Sequence, residues 1–234
     1  MSRPDLFILW LDGALIINLR EYNMSINSLN KNHLQFESNV KELITYGMDI
    51  ITENINKAKS KDRKKEKTIL VEALLLRSCA YWEKFLEKEI ILLINLNNDK
   101  FKIYFELPQK STLNIKLIRA ILYGDKYLDF HDIKNCKGFF SKILTDNFNP
   151  FNGITIEQFN KISFSYTIRN YLSHYSDYSK KNLCRAYIDK FKYKIFQEPG
   201  LFLLKEKGKY FENLLHNFVL VSVNMRSFLG GKNE

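Results

Sequence analysis

Cysteine, proline and glycine are scarce in this chain, whose 234 residues include only three Cys, four Pro and nine Gly. The cysteines Cys79, Cys136 and Cys184 are widely spaced, and no two form a C-x2-C pair. A disulfide framework and a zinc site are therefore disfavoured, and a reducing cytoplasm is the expected location. Long stretches without Gly or Pro favour helices over a turn-rich β fold.

The chain also lacks a long uninterrupted apolar segment. The apolar stretch 6–19 is broken by Asp12 and Gly13. It has little basic flanking sequence and no A-x-A-like cleavage site, so we expect no signal peptide. No run reaches the roughly 18 uncharged apolar residues that a membrane-spanning helix needs. These absences predict a soluble protein with no membrane partner.

Positive charge is in excess, since 36 Lys and Arg against 26 Asp and Glu give a formal net charge of +10. This surplus favours a polyanionic partner or an acidic membrane surface. The densest basic stretch is 57–67, with seven Lys and Arg. It is typical of a solvated helix end or a loop between helices, and the alternative interpretation is an electrostatic guide for nucleic acid.

Few side chains are arranged as metal ligands. The four His are scattered, and the one close group, Asp129, His131 and Asp132, is more typical of a polar loop than of a metal site. We therefore predict that the protein binds no metal and needs no cofactor.

Apolar residues recur at helical spacing along most of the chain, which predicts a helical bundle. The clearest pattern covers 68–96. A Thr155/Gln158 pair fits a capping box and predicts a helix start. We expect a loop at 98–113 with a short extended piece at 101–107, and the segment 185–206 favours a small β-hairpin. Helices are predicted at 28–59, 68–96, 113–123, 134–147, from 155 onwards, and at 209–229.

The most informative stretch is 169–174, which reads R-N-x3-H. Asn170 and His174 are four residues apart, so on a helix they share a face, and Arg169 can turn its guanidinium to the same side. A phosphate held there would meet a cation, a neutral donor and a general acid/base. The alternative interpretation is a helix C-terminus where His174 caps carbonyls and Arg169 is a solvated surface residue.

A second candidate residue is Glu83, which follows Trp82 in the apolar pattern of 68–96. A carboxylate in such a neighbourhood needs a partner if it is buried. The alternative interpretation is an exposed helix carboxylate.

The chain resembles the HEPN superfamily over roughly 65–229. The segment 71–85, VEALLLRSCAYWEKF, is similar to the family helix whose apolar run ends in Glu and an aromatic residue. The segment 168–174, IRNYLSH, is similar to the family's R-x4–6-H motif with its frequent Asn after Arg. The resemblance implies an all-α, up-and-down bundle at 65–234, preceded by an N-terminal helical extension at 1–64. Two features differ from the family pattern. Tyr175 directly follows His174, where many relatives have a small residue or place a Tyr one position later, and the segment 185–206 lengthens the usual connection to the last helix.

The resemblance further implies a metal-independent endoribonuclease of bacterial defence or toxin–antitoxin systems. It implies a homodimer that completes the active site, and an antitoxin or defence-system partner. Arg169, Asn170 and His174 would be catalytic, while Glu83 and Tyr175 would support them, Glu83 by holding Arg169 or the second copy's arginine. Attack by the 2′-hydroxyl makes RNA the substrate and leaves a 2′,3′-cyclic phosphate.

Two alternatives stay open at this point. One is a non-catalytic HEPN-like module that binds RNA, a nucleotide or a partner protein. The other is an unrelated helical scaffold, at a membrane surface or in an assembly, in which the motif is fortuitous.

Overall fold

The computed structural model describes residues 19–52, 61–124, 130, 132–193 and 195–230. The apolar N-terminal run up to residue 18, the first part of the basic stretch (57–60), and Asp129 and His131 lie outside these residues. The described chain is all-helical, as predicted. Its helices are α1 (Leu19–Thr52), α2 (Lys61–Leu96), α3 (Asp99–Tyr104), α4 (Ile115–Tyr123), α5 (Ile133–Ile143), a 3-10 turn (Pro150–Gly153), α6 (Ile156–His174), α7 (Asp177–Phe191), α8 (Pro199–Leu203) and α9 (Lys205–Gly230).

The longest helices, α1, α2 and α9, pack on one another around a core of aromatic side chains. The Trp82 indole of α2 is fully buried, and its ring centroid lies 5.7 Å from Phe36 of α1 and 5.7 Å from Phe218 of α9. Residues of α1 thus belong to the same hydrophobic core as those of α2 and α9. The boundary predicted between residues 64 and 65 falls inside α2.

A buried polar network joins these same three helices. The His33 ring of α1 lies 2.9 Å from Glu89 Oε1 of α2 through Nε2 and 2.9 Å from Ser222 Oγ of α9 through Nδ1. Ser222 Oγ also donates to Glu37 Oε1 (3.3 Å), and Arg226 lies 3.4 Å from the same carboxylate. His33, Glu89 and Ser222 are fully buried. A buried polar group destabilises the fold unless it has a hydrogen-bond partner. The partners in this network come from different helices, so the network requires the three helices to stay packed together.

The start of α6 confirms the predicted capping box. Thr155 is the N-cap residue; its hydroxyl accepts from the Gln158 N–H (3.2 Å), and the Thr155 N–H donates to Gln158 Oε1 (3.0 Å). Gln158 Oε1 also accepts from Asn224 of α9 (3.1 Å), while Asn217 of α9 donates to the Gln158 carbonyl (3.0 Å). The cap therefore sets both the beginning of α6 and its attachment to α9.

Two predicted extended segments are helical instead. The described residues of 185–206 contain no β-hairpin; they form the end of α7, an irregular connection, α8 and the beginning of α9. Their aromatic rings form one cluster around Phe202, with Phe191 at 5.0 Å and Tyr187 at 4.8 Å, so the apolar residues pack between helices and not across strands. Of the piece predicted at 101–107, the first four residues lie in helix α3, where the Phe101 side chain is fully buried.

The last helix begins after a break that requires glycine. Glu206, Lys207 and Gly208 have positive φ angles, and regular helix follows to Gly230, which agrees with the predicted 209–229. At Gly208 φ is 87°, and a Cβ atom would lie 2.7 Å from Ile51 of α1. In the part of the chain that the structure describes, no helix is long and apolar enough to cross a membrane.

Candidate functional site

The R-N-x3-H residues lie on the last two turns of α6 and open into one surface groove. Arg169 is half-buried, whereas Asn170 and His174 are exposed. The groove has a volume of about 820 Å³ and runs between α6, the start of α5 and the first turns of α7. Its lining residues are Asp132, Ile133, Lys134, Ser163, Tyr166, Thr167, Arg169, Asn170, His174, Ser176, Tyr178, Ser179 and Asn182.

The motif residues are brought together as the helical spacing predicts. Arg169 Nη1 donates to Asn170 Oδ1 at 3.2 Å, so the amide orients one arm of the guanidinium. The His174 ring makes no hydrogen bond with the residues that the structure describes, and it stays open to a ligand. A guanidinium, an amide and an imidazole on one wall supply a charge clamp, a neutral donor and a proton carrier.

The end of α6 is made by Tyr175 and not by a histidine cap. Tyr175 adopts the left-handed conformation (φ 45°), and its N–H donates to the Tyr171 carbonyl at 2.8 Å. Within the described chain the His174 side chain bonds no helix-end carbonyl. The alternative interpretation of His174 as a carbonyl cap therefore has no contact in its favour.

Glu83 lies behind the groove, on the side of α2 that faces α6. The Tyr166 hydroxyl, one of the groove-lining groups, is 3.2 Å from Glu83 Oε1 and 3.2 Å from the Cys79 carbonyl oxygen. Burial raises the pKa of Tyr166 well above its ordinary value, and the neighbouring Cys79 and Glu83 raise it further. Because its pKa is raised, the Tyr166 phenol keeps its proton and donates it.

Charge from both elements reaches the Cys79 thiol. Burial raises the pKa of Cys79, the Glu83 carboxylate raises it further, and the Arg169 guanidinium opposes this increase. The negative charge of Glu83 and the positive charge of Arg169 therefore have opposite effects on the pKa of the same buried thiol. This arrangement brings the predicted supporting carboxylate to the rear of the motif, with Tyr166 between Glu83 and the groove.

Tyr175, the other supporting residue of the prediction, is turned away from the motif. It is not among the groove-lining residues; its ring packs on Tyr171 with centroids 5.2 Å apart. Burial raises the pKa of Tyr175, and the Glu72 and Glu198 carboxylates raise it further, so its hydroxyl lies on an acidic surface. The Tyr175 ring is thus not part of the groove wall that Arg169, Asn170 and His174 line.

Several groove residues were absent from the sequence prediction. Ser163 and Thr167 precede Asn170 and His174 by helical intervals on the same face, so the spacing along α6 contained a signal for them. Tyr178 and Asn182 come from α7, whose polar beginning we had not predicted as helix. A Ser176–Ser179 capping box starts α7, with the Ser179 N–H donating to Ser176 Oγ at 3.2 Å.

The polar group considered as a metal site contributes one residue to the groove. The Asp132 carboxylate caps α5, since its Oδ1 accepts from the N–H groups of Lys134 (2.8 Å) and Asn135 (3.3 Å). Asp129 and His131 lie outside the described residues. Within those residues, no three His, Cys, Asp or Glu side chains are grouped as metal ligands.

The chain matches no protein-family model, no curated protein sequence and no solved structure.

Proposed function

We propose that this protein is a metal-independent endoribonuclease of the HEPN type, acting in bacterial defence or in a toxin–antitoxin system. The observation that carries the proposal is the common groove in which Arg169, Asn170 and His174 meet, with Arg169 bonded to Asn170 and the His174 ring exposed. The net charge of +10 supports a polyanionic substrate. The resemblance of 71–85 and 168–174 to the HEPN segments supports the reaction class.

The reaction uses the 2′-hydroxyl of RNA as its nucleophile. A base takes the hydroxyl proton while O2′ forms a bond to the adjacent phosphorus, and the bond from phosphorus to O5′ breaks. An acid gives O5′ a proton, which leaves a 2′,3′-cyclic phosphate and a free 5′-hydroxyl. His174 supplies the imidazole for proton transfer, because this side chain both accepts and donates protons near neutral pH. Arg169 stabilises the charge on the phosphate, and Asn170 orients the Arg169 guanidinium.

The reaction needs a base and an acid at the same time, and a homodimer supplies both. Within the described wall of the groove, His174 is the one imidazole. A second copy that faces this open groove would bring its own R-N-x3-H motif, so that one imidazole accepts and the other donates. The exposed rim of the groove at Tyr178 leaves room for such an approach. An antitoxin or defence partner that covers the rim would block the site in the cytoplasm.

The test is cleavage of single-stranded RNA in the presence of EDTA. Wild-type protein should release products with 2′,3′-cyclic phosphate ends. We expect His174→Ala to lower the rate about 10²- to 10⁴-fold and Arg169→Ala to lower it about 10²- to 10³-fold, because each removes a transition-state contact. Size measurement should give a dimer.

Matched controls are His216→Ala and Arg119→Ala, two exposed residues outside the groove. Both should cleave like the wild type. Cleavage that survives both Arg169→Ala and His174→Ala would exclude this site, and a monomer of full activity would exclude the shared one.

A second candidate is a module that binds RNA or a nucleotide, or a partner protein, without cutting. The observation in its favour is the Arg169–Asn170 bond, since a guanidinium pre-oriented by its neighbour suits anion binding as well as catalysis. Tight RNA binding without any cyclic phosphate product would favour this candidate.

A further inference from the structure

Tyr178 is a large aromatic side chain that the fold leaves in solvent. It is the second residue of α7, and 76% of it is exposed. Within the described chain its ring makes no aromatic contact and its hydroxyl makes no hydrogen bond. Its backbone is well held, because the Ser176–Ser179 capping box fixes the first turn of α7. The ring is thus displayed at a defined place without being packed.

That place is the wall of the groove that contains the R-N-x3-H residues. Tyr178 lines it together with Arg169, Asn170 and His174. An exposed tyrosine ring beside a phosphate-binding group offers a flat apolar face on which a nucleic-acid base can stack, whatever its sequence.

Charge in the groove is low for a duplex-binding surface. Among the lining residues that the structure describes, two are cationic, Arg169 and Lys134, and Asp132 is acidic. The others present mainly hydroxyl and amide groups. Binding to a duplex relies on many phosphate contacts, and the bases of a duplex are stacked on each other and unavailable to a side chain. A groove with few cations and one unpacked aromatic ring therefore favours contact with a short single-stranded segment of RNA over contact with a duplex.

The opposite side of the motif is unsuitable for a polyanion. There the Glu198 carboxylate accepts from the Tyr171 hydroxyl (3.4 Å), and the Glu72 carboxylate accepts from the N–H of Gly200, two residues after Glu198 (2.7 Å). A phosphate strand leaving the groove in that direction would meet two carboxylates. The strand is expected to leave along α7, over Tyr178.

We infer that Tyr178 is a base-stacking residue, on whose ring an unpaired base of the RNA lies next to the cleaved phosphate. The inference rests on the proposed function of Arg169 and His174. It adds a binding residue that the motif by itself does not specify.

The experiment separates binding from cleavage. The His174→Ala protein, in which cleavage is suppressed, would be titrated with a fluorescent single-stranded RNA of ten nucleotides and with the blunt duplex of the same strand and its complement. We expect the single strand to bind more tightly. Adding Tyr178→Ala should weaken single-strand binding roughly 5- to 150-fold, the range typical of one lost base–aromatic stack. Tyr178→Phe and Tyr178→Trp should restore binding, because the ring and not the hydroxyl makes the contact.

Cleavage by proteins that retain His174 gives a second readout. Tyr178→Ala should raise KM for single-stranded RNA with a much smaller change in kcat, since the ring does not touch the reacting atoms. The matched control is Tyr46→Ala, which removes a tyrosine of α1 that is 55% exposed and outside the groove. It should leave binding and KM unchanged.

The outcomes distinguish this inference from the proposed function. RNA cleavage with unchanged binding and KM in Tyr178→Ala, or equal affinity for strand and duplex, would overturn the role of Tyr178 while leaving the ribonuclease in place. A wild-type protein that neither binds nor cuts RNA would overturn both.

Discussion

His33 and His174 lie in contrasting surroundings within one helical bundle. The His33 ring is fully buried and has partners on two other helices, Glu89 of α2 and Ser222 of α9. The His174 ring is exposed at the end of α6, and within the described chain it has no hydrogen-bond partner. Both ring nitrogens of His33 are bonded to other helices and hold them together, whereas both ring nitrogens of His174 are available to a ligand.

This contrast shows which polar cluster stabilises the fold and which is available for chemistry. The His33 network resembles a Ser–His–carboxylate arrangement in composition, yet Ser222 is fully buried and also bonded to Glu37, so no substrate reaches it. The groove around Arg169 and His174 has fewer internal bonds and an open wall. We therefore expect substitutions in the buried network to lower stability and substitutions in the groove to lower activity.

The largest expected effect on stability is that of His33→Ala. Removing the imidazole leaves the buried Glu89 carboxylate without its ring partner, so the free energy of unfolding should fall by about 3 to 5 kcal/mol. Urea denaturation followed by circular dichroism measures it. His174→Ala and His216→Ala, at exposed positions, should each change stability by less than about 0.5 kcal/mol.

A double variant sharpens the same comparison. Glu89→Gln in the His33→Ala background should recover part of the loss, because the variant no longer buries the carboxylate charge. In the wild type Asn32 Nδ2 donates to Glu89 Oε2 at 2.9 Å, and the amide oxygen of the glutamine can still accept this bond. A loss of equal size in His33→Ala and His174→Ala would contradict the assigned difference.

Thr155→Ala should have the next largest effect. It removes the hydroxyl that caps α6, so we expect a loss of about 1 kcal/mol in unfolding free energy, measured by the urea midpoint. Arg169, Asn170 and His174 are four or five turns away, and RNA cleavage at 25 °C should be unchanged. Thr155→Ser keeps the capping oxygen and should retain most of the stability. A large loss of activity in Thr155→Ala would show that the groove depends on the beginning of α6.

Tyr166→Phe probes the boundary between core and groove. The substitution removes the hydroxyl that lies near Glu83 and the Cys79 carbonyl. We expect a loss of about 0.5 to 1.5 kcal/mol in thermal or urea unfolding and a smaller decrease in RNA cleavage than Arg169→Ala produces. If Tyr166→Phe abolished cleavage with unchanged stability, Tyr166 would belong to the reacting site and not to its support.

The smallest effect is expected for Glu72→Gln, which changes stability through pH. Burial raises the pKa of Glu72, the Gly200 N–H bond opposes this, and Glu198 adds to the rise. The stability that Glu72 contributes is full below the ordinary glutamate pKa and is lost as the pH rises through the raised pKa of the folded state. Glu72→Gln should therefore increase the melting temperature slightly at pH 7.

This gain should disappear at a pH below the ordinary glutamate pKa, where wild-type Glu72 is protonated in both states. It should also be smaller in a Glu198→Gln background, because one cause of the raised pKa is then removed. A gain that is independent of pH would assign the effect to packing and not to the carboxylate charge.

Local chemistry explains the predictions that were confirmed. The Thr155/Gln158 pair is a contact between residues three positions apart, and the structure contains both of its hydrogen bonds. The spacing of Asn170 and His174 likewise put both residues on one face of α6. Helical periodicity over 68–96 predicted a helix that α2 contains, with Trp82 fully buried.

The predictions that failed concern segments whose conformation is decided by distant residues. The aromatic residues of 185–206 are compatible with strands, but in the folded chain they pack around Phe202 between helices.

The helical class, the start of α6 and the common face of Asn170 and His174 could be predicted from the sequence, because they depend on contacts within one or two helical turns. Which histidine is structural and which is accessible depends instead on contacts between helices that are far apart in the chain. Ser222 lies 189 residues from His33 along the chain and Glu89 lies 56 away, and no local pattern encodes such pairings. The groove, too, exists only because α5 and α7 pack beside the end of α6 and bring Tyr178 next to the R-N-x3-H residues.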